Sequence, residues 1–209
     1  MIIAIDGPAA SGKGTLARRL ARHFGLHYLD TGLIYRAVGR AVLAGGGDPA
    51  DPAAALAAAR RLTAEDLADP SLRDERVGDA ASKVGAIPAV RTVLLDFQRD
   101  LARRPPGAVL DGRDIGTVVC PEAEVKLFVT ASLEIRAGRR LKELLDKSVS
   151  AIGDRVLQDM KERDERDKAR SVAPLAPALD AHVLDTSELD ADAAFAAAVE
   201  IISLRRRDR

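Results

Sequence analysis

The chain has 209 residues, room for one domain with an insertion but not for two full domains. Lysine plus arginine (32) balance aspartate plus glutamate (32), and zero formal net charge excludes the sequence-independent grip of a nucleic-acid-coating protein. The composition, 47% hydrophobic and 31% charged, is globular, while 3% aromatics without Trp leave the core to Ala, Val, Leu and Ile and offer few stacking platforms for single strands.

Ile2 to Ile5 is an apolar, mainly β-branched run of the kind buried on both faces of a parallel sheet. It meets Gly7-Pro8 too soon for a signal peptide or a membrane span, so a cytoplasmic protein without a membrane partner is expected. From Gly12 to Phe24, Leu16, Ala17, Leu20, Ala21 and Phe24 recur at helical spacing until Gly25. His27 to Asp30 reads as a second strand, and Thr31 to about Leu43 as a helix ended by Gly45-Gly46-Gly47. Residues 48–86 are rich in Ala, Asp and Pro and form a helical insertion, with helices near Ala53 to Leu62 and Glu75 to Gly85. Pro88 opens a helix to about Arg103, Pro105-Pro106-Gly107 breaks it, and Ala108 to Leu110 is the third strand. Val125 to Val129 is the fourth. Helices follow at about Leu133 to Asp146 and Asp154 to Arg170, then a strand at His182 to Leu184 and a helix at about Asp192 to Leu204. Arg205 to Arg209 reads as a solvated tail.

Short apolar strands alternating with helices predict an α/β fold whose ligands sit beyond the carboxyl ends of the strands, where Gly7, Asp30, Asp111 and Thr130 fall. After the first strand come Gly7, Pro8, Ala9, Ala10, Ser11, Gly12, Lys13, Gly14 and Thr15, the Gly-x4-Gly-Lys part of a P-loop in its strand-loop-helix context. Glycines let backbone N–H groups approach phosphate oxygens, the helix N-terminus adds positive potential, and Lys13 brings a full charge to the β and γ phosphates. Gly14 stands where a P-loop usually carries the Ser or Thr hydroxyl that binds Mg²⁺. Mg²⁺ is therefore expected to be held mainly by nucleotide phosphates and water, with Asp111 acting at most indirectly, and no residue is assigned as a metal ligand. The lone Cys120 reads as packing, and His23, His27 and His182 are too scattered for a metal cluster.

Three further segments bear on where a phosphoryl group would go. Asp30-Thr31-Gly32-Leu33-Ile34-Tyr35-Arg36 puts a carboxylate and a hydroxyl at a strand end, though either could simply cap the following helix. Asp111-Gly112-Arg113-Asp114-Ile115-Gly116-Thr117 places an arginine and two acids beyond a central strand, which a plain polar turn would also explain. From Lys161 to Arg170, Arg163, Arg166 or Asp167, and Arg170 share a helix face, although five basic and four acidic residues also suit a solvated, ion-paired surface.

Taken in this order, the segments resemble the bacterial-type cytidylate kinases of the P-loop nucleoside monophosphate kinase family across nearly the whole chain. The likeness rests on the Gly-Lys-Gly-Thr loop, Asp30-Thr31-Gly32 with Tyr35-Arg36, Ala81-Ser82-Lys83-Val84, Pro88-Ala89-Val90-Arg91, the Asp111 to Thr117 turn, Arg163-Asp164-Glu165-Arg166-Asp167 and Ala173-Pro174-Leu175. The resemblance implies a three-layer kinase fold on a parallel five-stranded sheet. It divides the chain into a core of 1–36, 88–150 and 172–209, a reduced helical acceptor-binding insertion at about 37–87 and a short helical lid at about 151–171. It implies ATP and CMP or dCMP as substrates, and a monomer. Ser82, Arg91 and Asp114 would face cytosine; Arg36 and Arg113 would hold its monophosphate; Thr31 and Asp167 would complete the CMP site; Lys13, Arg163 and Arg170 would be catalytic, the last two from the lid. Where family members carry a small antiparallel sheet, residues 63–79 here are short, acidic and helix-prone, so that sheet is expected to be absent or reduced.

The residue chemistry agrees with those roles. Cytosine offers an N4 amine beside N3 and O2 acceptors, which a carboxylate and an arginine complement, whereas uracil turns O4 toward the acid. Two facing polyphosphates need several arginines, and an ionised phosphate acceptor needs no general base. Kinases for AMP, UMP or shikimate share the loop. A nucleotide switch is disfavoured because Asn-Lys-x-Asp is absent and paired arginine sites serve nothing without a second anion.

Overall fold

The computed structural model describes residues 1–146 and 152–207. Five parallel strands, β1 (Ile2–Asp6), β2 (His27–Asp30), β3 (Ala108–Gly112), β4 (Val125–Thr130) and β5 (His182–Asp185), lie in the order β2-β3-β1-β4-β5. The register sets Asp30 opposite Asp111, and Asp6 opposite both Gly112 and Phe128, so all the strands end along one rim. β1 is central, and Ile3, Ala4 and Ile5 are wholly buried, as the β-branched run predicts.

One face of the sheet, with Ile3, Ile5, Val109, Leu127 and Val129, packs on α1 (Lys13–Phe24) and α8 (Ala191–Arg207) through Leu16, Leu20, Ala198 and Ile202. The other face, with Ala4, Ala108 and Leu110, packs on α5 (Pro88–Ala102) through Ala102 and on the turn after β3 through Ile115 and Val119. The result is three layers around an aliphatic core. α2 (Thr31–Ala44), α3 (Pro52–Ala59) and α4 (Glu75–Val84) build a satellite core with α5 around Ile34, Val38, Val42, Val84 and Leu94. Residues 48–86 contain α3, α4 and two short 3₁₀ turns, Glu65–Ala68 and Pro70–Arg73, and no strand among the described residues. α6 (Leu133–Asp146) and α7 (Gly153–Lys168) pack through Ala137, Leu144, Val156 and Met160.

Two expectations need correction, and one alternative falls away. The turn after Asp114 is not a plain polar turn: Ile115–Val119 is a π-helical turn, with Val119 N–H reaching Asp114 O at 3.1 Å and Cys120 N–H reaching Ile115 O at 2.7 Å. Asp6 dictates it by accepting from the N–H groups of Ile115 (2.7 Å) and Gly116 (2.8 Å). α7 stops at Lys168, so Arg170 lies past the helix end, because Leu175 N–H takes the carbonyl of Asp167 at 2.9 Å and folds the chain back. α8 continues to Arg207 because no breaker follows Leu204, so the start of the supposed tail is helical. The tail's last two residues, the expected core boundary at 150 and the expected lid start at 151 lie outside the described residues. Among those described, no helix is long and apolar enough to cross a membrane.

Candidate active site

Where β1 ends, the chain turns tightly over the end of β4. A Cβ on Gly7, at φ +152°, would lie 2.0 Å from the Val129 carbonyl oxygen, so only glycine passes here. The N-terminus of α1 has no side-chain cap, which leaves its first N–H groups for an anion. Lys13 is buried with Nζ donating to Pro8 O at 3.1 Å. Burial, and then the cations of Arg113 and Arg163, push its ammonium down to about 7. Gly14 has a reason of its own: a Cβ there would sit 3.0 Å from Asp111 Oδ2. Asp111 accepts from the Tyr28 hydroxyl at 2.9 Å, and its pKa is raised by burial and by Asp30 on the neighbouring strand.

A cavity of about 740 Å³ opens at this rim. Of the loop residues, Ala9, Ala10, Lys13 and Gly14 line it; Gly7, Pro8, Ser11, Gly12 and Thr15 do not, and Thr15 is exposed behind the first turn. Thr31, Arg36, Ser82, Arg91, Arg113, Asp114, Arg163, Asp167 and Arg170 all line the same cavity, although they come from four helices and two loops. Asp30 makes no side-chain cap to α2, and Thr31 donates instead to Asp111 O at 2.7 Å, so neither works as a simple N-cap. Arg36 Nη1 donates to Leu72 O (2.8 Å) and Asp74 O (3.1 Å), fastening α2 to the insertion at the cavity edge.

Two ion-paired clusters shape the wall. Arg91 and Asp114, both buried, meet at 2.5 Å, while Arg91 also donates to Gly85 O at 3.0 Å and lies 5.2 Å above the Tyr35 ring. Arg113 Nε donates to Asp167 Oδ2 at 2.8 Å, and Arg170 pairs with the other oxygen of Asp167. Burial opposes ionisation of Asp167, yet Arg113, Arg170 and Arg163 outweigh it and hold the carboxyl below its usual range. Arg163 has the opposite balance: burial and Arg113 push it down to about 10, and its buried Nε has no partner among the described residues.

The sequence reading missed several residues here. Arg136 joins three elements, donating to Ala131 O (2.9 Å), Ala9 O (3.3 Å) and Asp164 Oδ2 (2.6 Å). Thr186 donates to Ser11 O at 3.0 Å and receives Arg139 Nη1 at 3.0 Å, bracing the phosphate loop. Applying the strand-end rule to β5 as well as to β1–β4 finds Thr186, and the first turn after β4 finds Arg136. The contact of Arg166 with Ser82, 84 positions apart, has no sequence signal.

A glycine-turned loop feeding an uncapped helix, beyond the end of a central parallel strand and facing an arginine-rich wall, defines a P-loop kinase. The sequence pattern described as cytidylate kinase matches residues 3–204, so the chain belongs to the cytidylate kinase family. A protein named cytidylate kinase from Paramagnetospirillum magneticum is 67% identical over 208 residues, covering 98% of this chain and 99% of that one. Another of that name from Rhodospirillum rubrum is 63% identical, covering 97% of each. A crystal structure of an uncharacterized protein from Eubacterium ventriosum shares the fold at a TM-score of 0.57 and 15% identity, covering 97% of this chain and 98% of that one.

Proposed function

We propose that this protein transfers the γ-phosphoryl group of ATP to CMP or dCMP, giving ADP and CDP or dCDP. The observation that carries the reading is that one cavity holds the phosphate loop on one side and the Arg91–Asp114 pair with Ser82 on the other. We assign the insertion, about 37–87, to acceptor binding and the segment about 151–171 to the lid. With Asp114 Oδ2 held by Arg91, its second oxygen accepts from the N4 amine of cytosine; uracil would present O4 to it, acceptor against acceptor. Arg36 and Arg113 hold the monophosphate. Lys13 and the loop amides hold the β and γ phosphates, and Arg163 and Arg170 offset the charge that develops between donor and acceptor. The acceptor phosphate is already ionised and attacks without a base, while the lid excludes the water that would hydrolyse ATP.

Mg²⁺ fits this site as an ion that arrives with ATP. Gly14 leaves no hydroxyl to bind it, but Asp111 and Asp30 face that corner and can hold its water shell; once bound it spreads the phosphate charge. We take the working species to be a cytoplasmic monomer. Coupled ADP release with Mg-ATP and CMP, dCMP, UMP, AMP or shikimate, with Lys13→Ala as the blank, tests the reading. Turnover with CMP and dCMP alone is expected. Comparable turnover with UMP would remove the role given to Asp114, and no turnover with any acceptor would sink the kinase reading.

A further inference from the structure

Ser82 is one of the base-facing groups in the function proposed above, and this inference rests on that reading. Its side chain is carried by α4, is 4% exposed and lines the central cavity. Arg166 of α7 meets the same hydroxyl, donating from Nη1 to Ser82 Oγ at 2.8 Å. The guanidinium is also 3.7 Å from Asp79 Oδ1, whose other oxygen pairs with Lys83 at 2.9 Å. Arg166 does not line the cavity, although its neighbours Arg163 and Asp167 do. It therefore reaches Ser82 from outside the space a ligand would fill and can act only through the hydroxyl.

Hydrogen-bond inventory then fixes what Ser82 can offer. A serine hydroxyl is one donor with two acceptor lone pairs and turns to suit its neighbours; a guanidinium only donates. With Arg166 donating to Oγ, the hydroxyl hydrogen must point away from α7. No carbonyl or carboxylate among the described residues takes it, so it is left for a ligand in the cavity. A pyrimidine with acceptors at N3 and O2 satisfies that donor. One with an N3–H confronts it with another donor, and a buried mismatch of this kind costs more than a missing bond.

We propose that Arg166 is a positioning residue for base choice, committing the Ser82 hydroxyl to donate into the cavity and so selecting a pyrimidine that accepts at N3. Acceptor recognition is thereby shared between α4 and the lid helix, and base selectivity is assembled only while α7 lies against α4.

The test is kcat and KM for CMP and UMP in Arg166→Met, Arg166→Gln, Ser82→Ala and the Arg166→Met/Ser82→Ala double variant. Arg166→Met and Ser82→Ala should each raise the CMP KM by about tenfold and shrink the preference for CMP over UMP by about the same factor, with kcat within about twofold. The double variant should be no worse than Ser82→Ala alone, because the arginine works through the hydroxyl. Arg166→Gln keeps an N–H donor and should recover most of the loss. An unchanged CMP to UMP preference in Arg166→Met, a full extra loss in the double variant, a loss confined to kcat, or no recovery in Arg166→Gln would each overturn the proposal. If Ser82→Ala itself leaves the CMP KM unaltered, the placement of Ser82 at the base has failed and takes this inference with it, while CMP turnover by the unmodified enzyme would still stand.

Discussion

Replacing Arg136 with Met should loosen α7 before it unfolds the protein. Methionine keeps much of the buried stem but offers no donor to Ala131 O, Ala9 O or Asp164. The side chains of Arg136 and Asp164 are 6% and 12% exposed, and stripping one partner from a buried pair costs about 3–5 kcal/mol. Asp164 is poorly placed to tolerate the loss, since its Oδ1 already lacks a partner among the described residues. The alternative is for α7 to swing out and let Asp164 hydrate. That exposes Val156 and Met160, at roughly 1.5–3 kcal/mol each, a sum of the same size as the cost of staying. Opening of α7 therefore caps the loss, and the variant should be less stable by about 3–5 kcal/mol in urea unfolding, with α7 amides exchanging earlier than those of β1. Because the cost lies in the stranded charge, the double variant Arg136→Met/Asp164→Leu should regain most of it. Arg136→Met within about 1 kcal/mol of the parent, or a double variant no better than the single one, would refute the reasoning.

Three more outcomes follow from the rim of the sheet. Burial raises Asp6 to about 6 despite its two backbone N–H donors, so between about pH 4 and 6 the folded state keeps a proton the unfolded chain has lost. Stability from this group falls as pH rises, by about 3 kcal/mol across that window, and the gap between the parent and Asp6→Asn in urea unfolding should narrow accordingly; a constant gap would contradict it. Lys13, pushed to about 7, is mostly neutral at pH 8 in the empty site and should regain its proton when phosphates arrive. Calorimetry of ADP binding at pH 8 in buffers of different ionisation enthalpy should show uptake approaching about one proton, lost in Lys13→Met; equal heats in all buffers would rule it out. Gly14→Ser supplies a hydroxyl where other P-loops have one, yet its Cβ would press on Asp111 Oδ2, so turnover should fall severalfold rather than rise, by the ADP-release assay.

Much of this was legible because local pattern and tertiary role coincide. The run Ile2 to Ile5 has the composition of a strand buried on both faces, and the loop behind it can be read residue by residue because backbone geometry demands glycine at Gly7. Pro88 starts α5 where a proline should, and residues 48–86 carry helices because nothing in them alternates. What escaped depends on partners distant in sequence. The π-helical turn at Ile115 exists because Asp6, more than a hundred positions earlier, takes two of its N–H groups. Arg136 looks like any arginine in the first turn of an amphipathic helix until Ala9 and Asp164 are folded against it. Likewise Arg166 was one of two choices on a charged helix, and only the packing of α7 on α4 separates it from Asp167.

Zero net charge conceals a division of labour among the cations of the cavity. Arg91 and Arg113 are held to Asp114 and Asp167 and are more firmly protonated than a free arginine: burial opposes their charge, but Tyr35 and then Asp114 outweigh it at Arg91, and Asp167 does so at Arg113. They form a fixed wall whose directions are set before any ligand enters. Lys13 and Arg163 are the reverse case, buried against other cations and pushed down to about 7 and about 10, with Nζ of Lys13 resting on a carbonyl and Nε of Arg163 on no partner among the described residues. A buried cation held in that state destabilises the empty protein, and an incoming phosphate relieves it. On the proposed reading the unrelieved pair take up phosphate charge, while in the relieved pair Arg91 fixes the edge read on the base and Arg113 gives the acceptor phosphate a fixed direction. On that reading, one cavity binds a polyanion tightly while still choosing an acceptor by the hydrogen-bonding edge of its base.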